Sequence, residues 1–212
     1  MSFPSLLAEL EVAVKIGTPE KRVDTLRRIT NLFLKESNRL NEEQIGVFDN
    51  VLIHLLQRIE TKALVQLSSA LAPLDNAPIE VVRRLSRHDE ITVAEPVLTT
   101  SNRLTENDLI EVAKFKSQGH LFAISVRASL SETVTDVLID RGDTRVHHSL
   151  ARNPGGRFSD AGYSTLVKKS ETDETLAERL GLRLDIPIQL LRKMLARASN
   201  IVRSRLLAAA TP

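Results

Sequence analysis

The sequence predicts an all-α chain, a right-handed α-solenoid of stacked helix pairs with no β-sheet. Three observations predict it. Apolar residues recur at three- and four-residue spacing along most of the chain, and no stretch alternates with period two between turn pairs. A unit of about 27 residues repeats from residue 78 onward. Aromatics make up only 3% of the 212 residues, with no Trp and one Tyr (Tyr163). The core must therefore come from Leu, Ile, Val and Ala, which suits helices packed closely on helices.

The elements follow in order. Leu6, Leu7, Leu10 and Val14 predict a helix over 5–16. Gly17-Thr18-Pro19 is a breaker, a cap and a first-turn proline, and Val23, Leu26, Ile29 and Phe33 then predict a helix over 20–35. Asn41 precedes a third, with Ile45, Phe48, Leu52, Leu55 and Leu56. A fourth, over roughly 60–72, carries Leu64, Leu67 and Leu71 and stops at Pro73.

From there the chain repeats. Leu104-Thr105-Glu106, Leu130-Ser131-Glu132, Phe158-Ser159-Asp160 and Ile186-Pro187 lie 26, 28 and 28 residues apart, and Ala77-Pro78 falls 27 before the first. Thr or Ser caps a helix N-terminus, an acidic residue in the first turn suits the helix dipole, and Pro serves by fixing φ. Asp89, Asp143 and Asp173 each precede a second apolar-periodic stretch, and Gly119-His120 opens the equivalent one holding Ile124. Each unit is thus two helices of about ten residues joined by a tight turn, the grammar of an α-solenoid. Asn153-Pro154-Gly155-Gly156 widens one turn. Residues 187–208 read as one helix, twice the length of its predecessors, closing the stack. The organisation expected is 1–73 as N-terminal helices, 74–186 as repeats and 187–212 as a basic terminal helix, all within one continuous domain.

The segments DEITVAEPVLTTSNRLTENDLIEVAK (89–114) and HLFAISVRASLSETVTDVLIDRGD (120–143), with NPGGRFSDAGY (153–163) and RLDIP (183–187), resemble an uncharacterised bacterial family, domain of unknown function twenty-three thirty-six. The units also resemble HEAT and armadillo repeats. The resemblance covers nearly the whole chain and implies a HEAT-like fold in a bacterial protein, with no activity to carry over. Members of that family tend to be longer, so a fragment ending at Thr211-Pro212 is one reading of the chain.

Composition narrows the function. With no Cys, thiolate metal sites, disulfides and cysteine nucleophiles are excluded. That fits a reducing, cytoplasmic setting. Glu9 and Glu11 interrupt the N-terminal apolar run, so it does not read as a signal peptide, and no apolar run approaches the roughly 20 residues needed to span a bilayer. His147 and His148 are neighbours pointing about 100° apart on a helix, and His54, His88 and His120 are isolated, so no metal site is expected. Ser131 and Ser159 read as caps. Gly155-Gly156 lacks the Lys-Ser/Thr of a phosphate loop. The recurring carboxylates Asp89, Asp143 and Asp173 argue for a structural task. No catalytic residue and no cofactor are expected.

Net charge is +2, unevenly placed. Residues 1–60 hold eight Lys/Arg against nine Asp/Glu, residues 61–186 hold 16 against 18, and residues 187–212 hold five against none. Those five are Arg192, Lys193, Arg197, Arg203 and Arg205. Beside them Ile188, Leu191, Leu195, Ala198, Val202 and Leu206 form an apolar stripe, broadened by Leu190, Met194 and Ile201. Arg127, Asn153 and Arg183 share one repeat position, either an inter-repeat polar bond or a ladder of recognition groups. The expected function is a non-catalytic scaffold binding a protein partner through these residues. The alternative is nucleic-acid binding through the basic terminal helix. The scarcity of Trp and Tyr, and the placing of Phe33, Phe48, Phe122 and Phe158 at core positions, count against base stacking. Self-association through the terminal stripe, with Leu195 and Val202 at its centre, is a third possibility.

Overall fold

A computed structural model describes residues 18–56 and 59–210, and the helix expected over 5–16 lies outside them. Among the described residues there are thirteen α-helices, one 3-10 turn at Ser37–Arg39 and no strand. The all-α expectation therefore holds. No described helix is long and apolar enough to cross a membrane. The chain divides after Asp108 into two compact units.

In the first unit, local chemistry sets most helix starts. α1 (Pro19–Glu36) opens with Thr18 Oγ1 accepting from Lys21 N–H at 3.4 Å. α2 (Glu42–Leu56) opens on a capping box: Asn41 Oδ1 accepts from Gln44 N–H at 2.9 Å, and Gln44 Oε1 accepts from Asn41 N–H at 3.0 Å. α3 (Thr61–Leu71) ends two residues before Pro73. α4 (Ile79–Ser86) has Pro78 at its N-cap, which carries no side-chain acceptor. Asp49 of α2 supplies one, taking Glu80 N–H at 2.9 Å and Val81 N–H at 2.8 Å. Burial pushes the Asp49 carboxyl above its ordinary value, against those two amides. α5 (Ile91–Thr100) follows Glu90, not Asp89, at the N-cap, without a side-chain capping bond from Glu90.

α1 packs on α2 and α3, α2 on α4, and α3 on α4 and α5. α1, α3 and α5 thus form one row and α2 and α4 a second. Between them Phe33 and Phe48 meet edge to face at 5.2 Å. Near the end of the unit, Asp108 Oδ2 accepts from Thr105 N–H at 3.0 Å and Asp108 Oδ1 takes Arg83 Nε–H and an Arg87 guanidinium N–H at 3.1 Å each. Burial works against ionisation here, but the Thr105 and Arg83 bonds hold the carboxyl below its usual value.

α6 (Glu106–Phe115) contains the division. Beyond it come α7 (Gln118–Ser125), α8 (Glu132–Arg141), α9 (Thr144–Arg152), α10 (Asp160–Lys169), α11 (Glu174–Gly181), α12 (Ile188–Arg197) and α13 (Asn200–Ala210). The predicted caps are in place: Ser131, Asp143, Ser159 and Asp173 accept from Val134, Val146, Gly162 and Leu176 N–H at 3.4, 3.0, 2.9 and 2.9 Å. α7 packs on α9, α9 on α11 and α11 on α13, while α8 packs on α10 and α10 on α12. The second unit thus also has two rows, with α8 meeting α9 and α10 meeting α11 across them. Small residues permit the close approach: Ser125 Oγ of α7 reaches Ser149 Oγ of α9 at 2.7 Å, and a Cβ on Gly181 of α11 would lie 2.6 Å from Leu206 Cδ1 of α13.

One expectation fails. Residues 187–208 are not one long helix. Ala198 is extended (φ −66, ψ 149) and ends α12, and Ser199 Oγ then accepts from Val202 N–H at 3.3 Å to start α13. The apolar spacing keeps its phase across the break, which hides it, while Ser199 carries the N-cap signal. The terminal segment is one more helix pair. Phe122 also departs from expectation: Phe33, Phe48 and Phe158 are buried, but Phe122 is half-exposed.

Candidate functional site

Arg127, Asn153 and Arg183 do share a structural position. Each follows the end of a second-row helix, and its N–H bonds the carbonyl three residues earlier: Ile124, Leu150 and Leu180. From that position the side chains of Asn153 and Arg183 reach back toward the preceding pair. Asn153 Nδ2 donates to Ser125 O at 2.9 Å and Arg127 O at 2.8 Å, and its Oδ1 accepts Gly155 N–H at 2.9 Å. Arg183 donates to Asn153 O at 2.6 Å, Gly156 O at 2.8 Å, Tyr163 Oη at 3.1 Å and both Asp185 oxygens. Its guanidinium lies 4.5 Å over the Phe158 ring, and its side chain is 6% exposed. Burial works against the charge on Arg183, but its bonds to Asp185 and Tyr163 keep its pKa above the ordinary value. Burial drives the Tyr163 phenol up to about 12, so it stays neutral. Arg127 is half-buried, and burial lowers its pKa. The first unit uses the same kind of side-chain-to-carbonyl bond at positions no local pattern marks: Asn76 Nδ2 donates to Ser37 O at 2.6 Å, and Arg103 Nε–H to Ala77 O at 2.9 Å.

These clamps border a surface groove along α7, α9 and α11. It comprises two cavities of about 770 and 730 Å³ that share Arg152, Pro154 and Arg179. The first also holds Phe122, Val126, Arg145 and His148, and the second Arg157, Leu182 and Leu184. The guanidiniums are held in different ways. Arg145 Cζ stacks 3.7 Å from the Phe122 centroid. Arg179 donates to His148 O at 3.2 Å, while His148 Nε2 sits 2.6 Å from Asp173 Oδ2. Burial works against the Asp173 charge, but the Leu176 amide and His148 hold its pKa below the ordinary value. Arg152 and Arg157 are exposed and have no ion-pair partner among the described residues.

The loop between α9 and α10 fixes Pro154 and Arg157. Leu130 N–H donates to Gly155 O at 3.0 Å and Arg157 N–H to Leu130 O at 3.1 Å, an isolated parallel bridge. The expected widened turn is therefore docked against Leu130. It has no room for a side chain at residue 155, where a Cβ would lie 1.9 Å from Ala128 O.

Charge summed over 61–186 conceals this groove. Residues 144–159 contain Arg145, Arg152 and Arg157, two histidines and no Asp or Glu. A shorter window was the signal that could have found it.

The five terminal basic residues divide between two states. Arg197 pairs with Glu171, and Arg205 with Glu178 at 3.0 Å. Arg192, Lys193 and Arg203 are exposed without an ion pair among the described residues. The stripe divides too: Met194, Val202 and Leu206 are buried, while Ile188 and Ile201 are exposed, as is Leu207 beside it.

No curated protein and no solved structure matches the chain. The model of one family does, over residues 93–212, a narrower span than the resemblance in the sequence suggested. That is more than half of the 212 residues, and the chain belongs to this family, described as "Uncharacterised protein conserved in bacteria (DUF2336)".

Proposed function

We propose that this protein is a non-catalytic, cytoplasmic scaffold for protein–protein interaction, built as a HEAT-like right-handed α-solenoid. The observation that carries the reading is the row of second helices in the second unit. Successive members pack side by side and border one groove in which Arg145, Arg152 and Arg157 are exposed. A solenoid presents such a surface because each repeat contributes the same face. The groove joins guanidiniums to apolar side chains, and Asp173, the partner of His148, also caps α11.

Two measurements test it. Small-angle scattering reads the arrangement: a compact 212-residue bundle has a radius of gyration near 17 Å, and a solenoid gives a larger one. Affinity capture from bacterial lysate, with and without nuclease and at two salt levels, reads the function. A discrete protein partner that survives both treatments is expected.

A second reading rests on Arg192, Lys193 and Arg203, three exposed cations on the terminal pair with no ion pair among the described residues. They suit a phosphate backbone. Recovery of nucleic acid, lost at high salt and on neutralising those three residues, selects it. For self-association, the exposed Ile201 and Leu207 are the positions to change. Val202 is buried against the preceding pair, so its substitution would test the fold.

A further inference from the structure

We infer that the groove on α7, α9 and α11 is the docking site for an extended, acidic segment of a partner protein, one that alternates carboxylates with apolar side chains. This rests on the protein-binding reading and specifies its ligand. Three features lead to it.

The first is uncompensated charge. Arg145, Arg152, Arg157 and Arg179 all line the groove. Asp185, which lines the groove, is already engaged by Arg183, and Asp173 by His148. Arg is the side chain that binds carboxylates in a bidentate fashion, so these groups call for carboxylates.

The second is preorganisation. Phe122 supports Arg145, the His148 carbonyl holds Arg179, and the bridge at Leu130 pins the loop that carries Arg157. Ordering these side chains on binding therefore costs less entropy than ordering free surface arginines.

The third feature decides between ligand classes. Val126, Leu182 and Leu184 project beside the arginines, with Leu184 fully exposed. A phosphate backbone has nothing to offer these apolar side chains. Phe122, the aromatic of the groove, is covered on one face by Arg145, which leaves a poor platform for a base. An extended peptide satisfies both demands, because its side chains alternate in direction at about 3.3 Å per residue.

The test is a display selection of random dodecapeptides on the full chain, followed by solution affinities of the selected peptides. The expected winners carry Asp or Glu interleaved with Leu, Ile, Val or Phe. Their affinity should fall at least tenfold in an Arg152→Glu/Arg157→Glu variant that keeps its circular dichroism and thermal midpoint. It should be unchanged in Lys62→Glu, a charge reversal on α3. Winners without acidic bias, no winners at all, or equal affinity in the double variant would each overturn the assignment. The broader reading is judged separately. A captured protein that binds the double variant as well as the parent keeps the scaffold and removes the groove. Recovery of nucleic acid alone removes the scaffold.

Discussion

Arg183 and Arg157 line the same cavity but do opposite things. Arg183 is enclosed by the carbonyls of Asn153 and Gly156, by Tyr163 and by Asp185, and it joins one helix pair to the next. Arg157 rises from a docked loop and ends in solvent. Both look alike in the sequence. What separates them is whether the backbone around the guanidinium presents acceptors. The largest predicted effect follows from that difference. Arg183→Ala should lower unfolding free energy by about 3–5 kcal/mol, since it strands several buried acceptors at once. Arg183→Lys should restore only a minor part, because an ammonium cannot span the same fork of acceptors. Urea unfolding checks both, and a loss below 1 kcal/mol for Arg183→Ala would show that the clamp is dispensable.

The loop carrying Arg157 gives the next effect. Gly155→Ala places a methyl against Ala128 O, a backbone atom that cannot swing aside. A cost of roughly 1–3 kcal/mol is expected, the usual range for overpacking. Gly181→Ala is the comparison. Its methyl meets the end of the flexible Leu206 side chain, so it should cost less than Gly155→Ala. Equal losses in thermal unfolding would mean that the loop yields as readily as a leucine.

His147 and His148 repeat the inside–outside contrast on neighbouring positions. His147 is buried, and its Nε2–H donates to Ile139 O at 2.9 Å, whereas His148 sits at the groove beside Asp173. Burial, with Lys169 and His148 nearby, lowers the His147 pKa, while the Ile139 bond and Asp143 oppose this. The folded state therefore favours the neutral ring, and the unfolded chain takes up the proton. The stabilisation is present above the unfolded value of about 6.5 and declines as pH falls below it. Asp173 and Asp108 have lowered values, so their contribution fades only as pH drops through the carboxylate range, below about 4. Stability measured between pH 7 and 5 should fall, and His147→Gln, which keeps a donor, should flatten the slope. An unchanged slope would assign the loss to another group.

The sequence made the helix order legible because several helices start with the same local chemistry. Ser131, Asp143, Ser159 and Asp173 were found as caps because a cap is a local bond over three residues. Long-range substitutes were not visible. Asp49 caps a helix 31 and 32 residues away, and Asn76 and Arg103 clamp carbonyls 39 and 26 residues away, so no local pattern marks them. The terminal break was missed because the apolar phase continued through Ala198-Ser199, which shows that periodicity reports a shared face rather than an unbroken helix. Phe122 was placed in the core by its spacing. The structure turns its ring into a rest for Arg145, a role that depends on a residue of the next helix in the same row.

The smallest predicted stability effect is the one that most sharpens the contrast. Arg152→Ala and Arg157→Ala should each change unfolding free energy by no more than about 0.5 kcal/mol, because neither guanidinium has an ion-pair partner to lose among the described residues. If the groove is for binding, the same changes should weaken the partner and leave the fold alone, the reverse of Arg183→Ala. A stability loss near that of Arg183 would mean that the outer arginines also join the helix pairs, and the division between clamp and groove would fail. A near-zero loss with weakened binding would show that the chain keeps its exposed arginines for a ligand it does not itself supply.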